Sequence, residues 1–221
     1  VAPWSAYNQL QQRVSIDHPL ASQSICRWGL HVTVRNARCL APYQHHGVYL
    51  YGNHTQPTGD VFLPFVLSKH PAIIVAPANL GIPIIGHWLP AAGALPIPSQ
   101  LHQLQQFTTG VYDAVDQGRA VMIYPEAHVW PYATMIRPFP ATAFHYPVTH
   151  PAPVFCVTTT YQHSRWHRKP RTTVYVDGPF FPDAHLTAKQ QQRHLHQQVA
   201  DCMHHRSQAS TYDYVHYQRR S

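Results

Sequence analysis

Six short runs rich in β-branched and aromatic residues punctuate this chain, with helical stretches between them. They are LHVTV (30–34), GVYLYG (47–52), AIIVAP (72–77), AVMIYPE (120–126), PVFCVTTTY (153–161) and TTVYVDG (172–178). Several are continuously apolar, the pattern of strands covered on both faces. Helical periodicity marks Asp60 to Ser68, Gln100 to Gly118 and Thr187 to His205. In the second of these Leu101, Leu104, Val111 and Val115 share a face and Gly118 is a stop; in the third Ala188, Leu195, Val199 and Cys202 fall in register. Strands alternating with helices imply an α/β fold: a single domain over 1–221 with a mostly parallel central sheet flanked by helices. The α/β body is expected over 29–206, after a lead-in at 1–28 and before a tail at 207–221 that either frays or docks by its tyrosines.

With 221 residues and 44% apolar content the chain can bury one sizeable core. Lys and Arg number 16 against 9 Asp and Glu, a formal charge of +7, which favours anionic partners: nucleic acid, an anionic membrane surface, an acidic carrier protein or a phosphorylated small molecule. Nothing at the N-terminus resembles a secretory signal, and Cys26, Cys39, Cys156 and Cys202 show no metal-ligand spacing, so reduced thiols in a cytoplasmic protein are expected. The chain opens on Val-Ala-Pro without an initiator methionine, which leaves a preceding anchor open. The longest apolar stretch, Leu80 to Pro98, is broken by Pro83, Pro90, Pro96 and Pro98, so it reads as a short apolar element plus extended pieces. It suits a membrane interface, an acyl-chain groove or a buried loop.

Ligand sites in α/β sheets gather at the carboxyl ends of strands, and two motifs sit there. GNHTQPTGD follows the 47–52 run, and YPEAHVWP (Tyr124 to Pro131) follows the apolar residues 120–123. His54 and Asp60, delivered by one loop, suit a base and its orienting carboxylate, a pair of metal ligands, or turn chemistry with Asp60 in the first turn of a helix. A carboxylate bonded to one ring nitrogen fixes the imidazole tautomer and stabilises the imidazolium that forms when the other takes a proton.

NHTQPTGD, GALPIPS (93–99), VMIYPEAH (121–128) and APVFCV (152–157) fall in the order and approximate spacing of four sequence blocks. In this the chain resembles the glycerolipid acyltransferase family, of the lysophosphatidate (1-acyl-sn-glycerol-3-phosphate) acyltransferase type. The resemblance implies a glycerol-3-phosphate acyltransferase-like fold, with His54 as general base, Asp60 orienting it, Asn53 holding the loop beside the substrate and Glu126 helping to bind the acceptor head group. The reaction implied is transfer of a fatty acyl group from acyl-CoA or acyl-carrier protein, the co-substrate, to the hydroxyl of a lysophospholipid. No metal or resident cofactor is called for. Expected partners are the acyl donor, the acceptor and an anionic membrane touched peripherally on the inner face of the cell membrane, without nucleic acid. Three departures stand out. Five residues instead of the family's four separate His54 from Asp60, Ser99 stands where the second block has arginine, and Glu126 is followed by Ala127 and His128 where the third block has Gly-Thr-Arg. Both usual phosphate contacts are therefore missing, and Arg137, Lys69 and His128 are the candidate replacements. Another lipid acceptor is the alternative.

The basic stretch His163 to Arg171 supports a rival reading, a non-catalytic nucleic-acid or membrane-surface binding module; read structurally, it is a solvated hairpin loop. The scattered histidines, 19 in all, form no zinc-protease motif and read as surface imidazoles. No Gly-rich phosphate loop and no GxSxG nucleophile motif is present, which argues against nucleotide hydrolysis and an α/β-hydrolase.

Overall fold

The apolar runs form the strands of one sheet in the computed structural model, which describes residues 32–76, 89, 93–165 and 167–218. In chain order the strands are β1 (Val32–Arg35), β2 (Val48–Gly52), β3 (Pro71–Val75), β4 (Ala94–Pro96), β5 (Ala120–Ile123), β6 (Val154–Gln162) and β7 (Arg171–Phe180). The helices are α1 (Gly59–Leu67), α2 (Leu104–Asp116), α3 (His145–Thr149) and α4 (Ala188–Ser207), with a 3-10 helix over Ala37–Tyr43. Spatial order is β1-β7-β6-β2-β5-β3-β4. The five strands from β6 to β4 are mutually parallel; β7 pairs antiparallel with β6, and β1 runs parallel to β7. The mostly parallel α/β sheet expected from the sequence is thus present, with a reversed pair at one edge.

Side chains alternate across a strand, and β2 shows why its run is continuously apolar. Tyr49 and Tyr51 face one core with Val121 and Ile123, under Phe107, Val111 and Val115 of α2 and Leu195, Val199 and Met203 of α4. Val48 and Leu50 face the other with Met122, under Leu40 of the 3-10 helix and Leu63 and Phe65 of α1. The two tyrosines keep partners for their hydroxyls, Tyr49 donating to His150 O at 3.2 Å and Tyr51 to Ala143 O at 2.8 Å. An unpartnered buried hydroxyl would cost roughly 2 kcal/mol or more.

Helix boundaries differ from expectation in instructive places. Leu101 lies in a short 3-10 turn, Leu101–Gln103, ahead of α2, and the turn carries it out of the helical register. Leu101 is therefore 89% exposed and Leu104, at the helix start, 47% exposed, whereas Val111 and Val115 are buried as expected. On α4 the buried positions are Leu195, Val199 and Met203; Ala188 is exposed and Cys202 half-buried, because the buried stripe recurs every fourth residue. Gly118 ends α2 at φ +74, the left-handed conformation that glycine adopts without strain. Of Leu80 to Pro98, only Leu89 and residues 93–98 lie among the described residues, and the latter include β4; Trp166 of the basic stretch lies outside them. The rest of that stretch does connect an antiparallel pair, β6 and β7.

Candidate active site

β2 and β5 are parallel neighbours with Tyr51 opposite Ile123, so their carboxyl ends deliver the loops starting at Asn53 and Tyr124 side by side. Asn53 anchors the first loop. Its Oδ1 accepts the Thr159 N–H at 2.7 Å and its Nδ2 donates to Thr159 O at 3.0 Å, so the amide continues the ladder along β6 where β2 has ended. Buried and bonded to Thr159 through both amide atoms, Asn53 holds the loop to β6.

His54 follows, and the five-residue spacer brings Asp60 back to it. His54 Nδ1 lies 2.7 Å from Asp60 Oδ2. The same oxygen accepts the backbone N–H of Thr55 at 3.0 Å and of Gln56 at 2.9 Å. Those three contacts settle the proton inventory: an oxygen already receiving two amide donors has no place for a proton of its own. Nδ1 therefore carries hydrogen, and Nε2 is left as the basic nitrogen. The spacer closes because Gln56 O accepts the Asp60 N–H at 3.2 Å and the Gln56 side chain folds over Gly59, where any β-carbon would run into its amide. The carboxylate does not cap α1; it turns back toward the loop that precedes the helix.

Burial dominates at Asp60. Its side chain is 2% exposed against 21% for His54, and Oδ1 has no partner among the described residues. Desolvation raises the Asp60 pKa, outweighing the lowering by the His54 bond and charge and by the two backbone donors. Tyr124 completes the setting. Its ring stacks on the His54 imidazole at 4.5 Å between centroids, and its hydroxyl donates to Asp60 O at 2.7 Å. Among the described residues no group bonds Nε2 of His54, and the side chain is partly exposed.

Glu126 lies next to the pair but faces inward. Oε2 accepts the His54 backbone N–H at 2.9 Å and the Arg137 Nη2 hydrogen at 2.8 Å, while Oε1 accepts the Arg137 backbone N–H at 2.8 Å. Arg137 also donates to His128 O and lies over the Trp130 ring, 5.0 Å from its centroid. The His128 side chain is exposed at the rim. Lys69 is not brought to the site: α1 carries the chain about 10 Å from Asp60 to Leu67, and Lys69 follows the helix, next to the amino end of β3. Tyr124, Trp130 and Tyr132 were not singled out from the sequence, although all three sit in or beside YPEAHVWP.

No protein-family model and no curated protein matches the chain. A solved structure does. The crystal structure of the 1-acyl-sn-glycerophosphate (LPA) acyltransferase PlsC from Thermotoga maritima superposes with a TM-score of 0.63 at 12% identity, covering 84% of this chain and 78% of that one. This chain has the fold of that acyltransferase. Within the PlsC-like fold the expected base, its orienting carboxylate and Glu126 come together at one end of the sheet, and Lys69 stays away. Among the described residues no helix is long and apolar enough to cross a membrane.

Proposed function

We propose that the protein is an O-acyltransferase of lipid synthesis that moves a fatty acyl group from acyl-CoA or acyl-carrier protein to the hydroxyl of a lysophospholipid such as 1-acyl-glycerol-3-phosphate. The observation that carries this reading is the His54–Asp60 pair at 2.7 Å, with Nε2 unbonded among the described residues, on a fold shared with an acyltransferase. His54 Nε2 takes the proton of the acceptor hydroxyl as its oxygen attacks the thioester carbonyl carbon. The carbon–sulfur bond then breaks, and the thiolate leaves with the proton from the imidazolium. Asp60 holds the ring and stabilises the imidazolium in between. Thiol release balances ester formation, without a resident cofactor.

One observation favours another lipid acceptor as a second reading. The Arg137 guanidinium, linked to the His54 loop through Glu126, is already bound to that carboxylate, so a phosphate would have to share it. The exposed Arg165, Arg168 and Lys169 follow β6, at the same end of the sheet as His54, and support peripheral contact with an anionic membrane, on our reading its inner face.

The test is thiol release from long-chain acyl-CoA, and separately from acyl-carrier protein, across a panel of lysophospholipids, comparing the wild type with His54→Ala. Release that requires an acceptor and falls by about 10²–10⁴-fold in the variant is expected. Folded wild-type protein that releases no thiol with any pairing would refute the enzyme. Salt-sensitive binding to nucleic acid would then take its place.

A further inference from the structure

β6 runs five residues beyond the point where β2 leaves it, from Val157 opposite Gly52 to Gln162, which exposes an edge beside the site. Asn53 covers that edge at Thr159, and the segment after α4 covers it further out. Ser210 Oγ accepts the Tyr161 N–H at 3.2 Å, Thr211 N–H donates to Tyr161 O at 2.9 Å, and Ala209 O accepts from Gln162 Nε2 at 3.1 Å. The tail then crosses the loop that follows Glu126. Asp213 Oδ1 accepts the Thr134 hydroxyl at 2.8 Å, and Tyr214 meets Tyr132 edge-on at 4.8 Å. Tyr217 stacks on Trp130 at 4.8 Å with 24° between the rings, its hydroxyl donating to Pro131 O at 2.8 Å.

That loop in turn grips the base. Trp130 N–H donates to His54 O at 3.0 Å and Tyr132 N–H to Thr55 O at 2.8 Å. A layered column therefore runs from the tail to the pair: the Tyr217 ring against Trp130, the Arg137 guanidinium over Trp130, Arg137 on Glu126, and Glu126 on the His54 backbone. A stacked guanidinium is held in one plane, and removing the ring beneath it releases the side chain to other rotamers.

We propose that the tail segment 209–218 is a working wall of the acceptor site, with Tyr217 a positioning residue that acts through Trp130 on Arg137 and on the His54 loop. The assignment of this wall to the acceptor rests on the acyltransferase reading above. On that reading a wall on the Glu126 side bears on how the acceptor is held and aimed, and the acyl donor serves as the control.

The test compares the full chain with a chain ending at Ser210, with Tyr217→Ala and with Tyr217→Phe. Acceptor and donor are varied separately, and the His54 ring resonances are followed by NMR. Because displacing a reacting group by about 1 Å costs up to 10²-fold, the chain ending at Ser210 and Tyr217→Ala should raise the acceptor KM and lower kcat by about tenfold or more, with donor KM within about twofold. Tyr217→Phe, which keeps the ring, should recover most of the loss. The His54 resonances should shift in the shortened chain and in Tyr217→Ala. If the shortened chain does not fold, Tyr217→Ala alone decides. Equal losses against donor and acceptor, or unchanged kinetics and resonances in a folded variant, would overturn the proposal. Should the full chain transfer no acyl group, the resonances still report on the wall: a shift would keep the tail-to-His54 coupling while the reaction fails, and no shift would remove both.

Discussion

Of the aspartates paired with a basic side chain, Asp60 and Asp177 end in opposite electrostatic states. Asp60 is almost entirely buried, gives Oδ2 to His54 and two amides, and leaves Oδ1 without a partner among the described residues; desolvation wins and its pKa rises. Asp177, on β7, is pushed up by burial too, but the Arg206 bonds and charge outweigh it and its pKa falls. Arg206 donates from Nε to Oδ2 at 2.8 Å and from Nη2 to Oδ1 at 2.5 Å, and lies over the Tyr175 ring, 4.9 Å from its centroid. A guanidinium is charged at every working pH, so it repays desolvation permanently; an imidazole does so only while protonated. On the proposed mechanism the first arrangement passes a proton. The second clamps the end of α4 to the sheet, with Asn36 Nδ2 also donating to Asp177 Oδ1 at 3.5 Å.

If that division is right, removing charge from each aspartate should separate activity from stability. Asp60→Asn should show the largest effect, an acyl-transfer rate lower by about 10²–10⁴-fold, because a neutral amide no longer stabilises the imidazolium. Its urea midpoint at pH 7 should barely move, since the variant removes a buried charge whose own desolvation opposed folding. A large fall in stability with activity retained would assign Asp60 to the scaffold instead.

Asp177→Asn should do the reverse: full activity, and a loss of about 1–2 kcal/mol in urea unfolding, the value of a partly exposed, charge-assisted pair. The pH dependence sharpens the contrast. A carboxylate whose folded pKa is depressed contributes stability above its unfolded value, about 4, and loses it as pH falls through the folded pKa. The gap between wild type and Asp177→Asn should therefore be complete at neutral pH and close in strong acid. For Asp60, whose folded pKa is raised, ionisation opposes folding above that pKa and the opposition lifts as pH falls, so its gap should change in the opposite sense. Parallel pH profiles for the two variants would break the comparison.

The same contrast explains what was legible in the sequence. Continuous apolar runs revealed β2, β5 and β6 because each is sandwiched between helices, and the His54 loop was readable because its chemistry is local, a base and a carboxylate within one turn. Glu126 was found, but its inward-facing role depends on Arg137, eleven residues on, which no local pattern reports. Leu101 was misread because a 3-10 turn breaks the period before α2 begins, and the place of Lys69, a candidate phosphate donor, past the far end of α1 is set by the helix and not by any local pattern. The tyrosines of the tail offered docking as one of two choices; only the edge that β6 leaves uncovered decides between them.

The smallest effect comes from a residue the sequence did mark, Ala127, standing where the resembled family has glycine. Its φ is +64, the left-handed region in which an alanine β-carbon is strained by about 1–2 kcal/mol. The strain is local to the turn that lets Glu126 face inward and His128 outward, the His128 N–H donating to Glu126 O at 2.8 Å across it. Ala127→Gly relieves it, while the extra freedom of glycine in the unfolded chain returns about 0.5–1 kcal/mol, so a net gain of about 0.5 kcal/mol in urea unfolding is expected. A gain there would show that the site region tolerates strain as well as an unpartnered carboxylate oxygen, where the Asp177 clamp has both of its oxygens bound. A loss would mean that the alanine methyl contributes packing the turn needs, and the contrast would then rest on the aspartates alone.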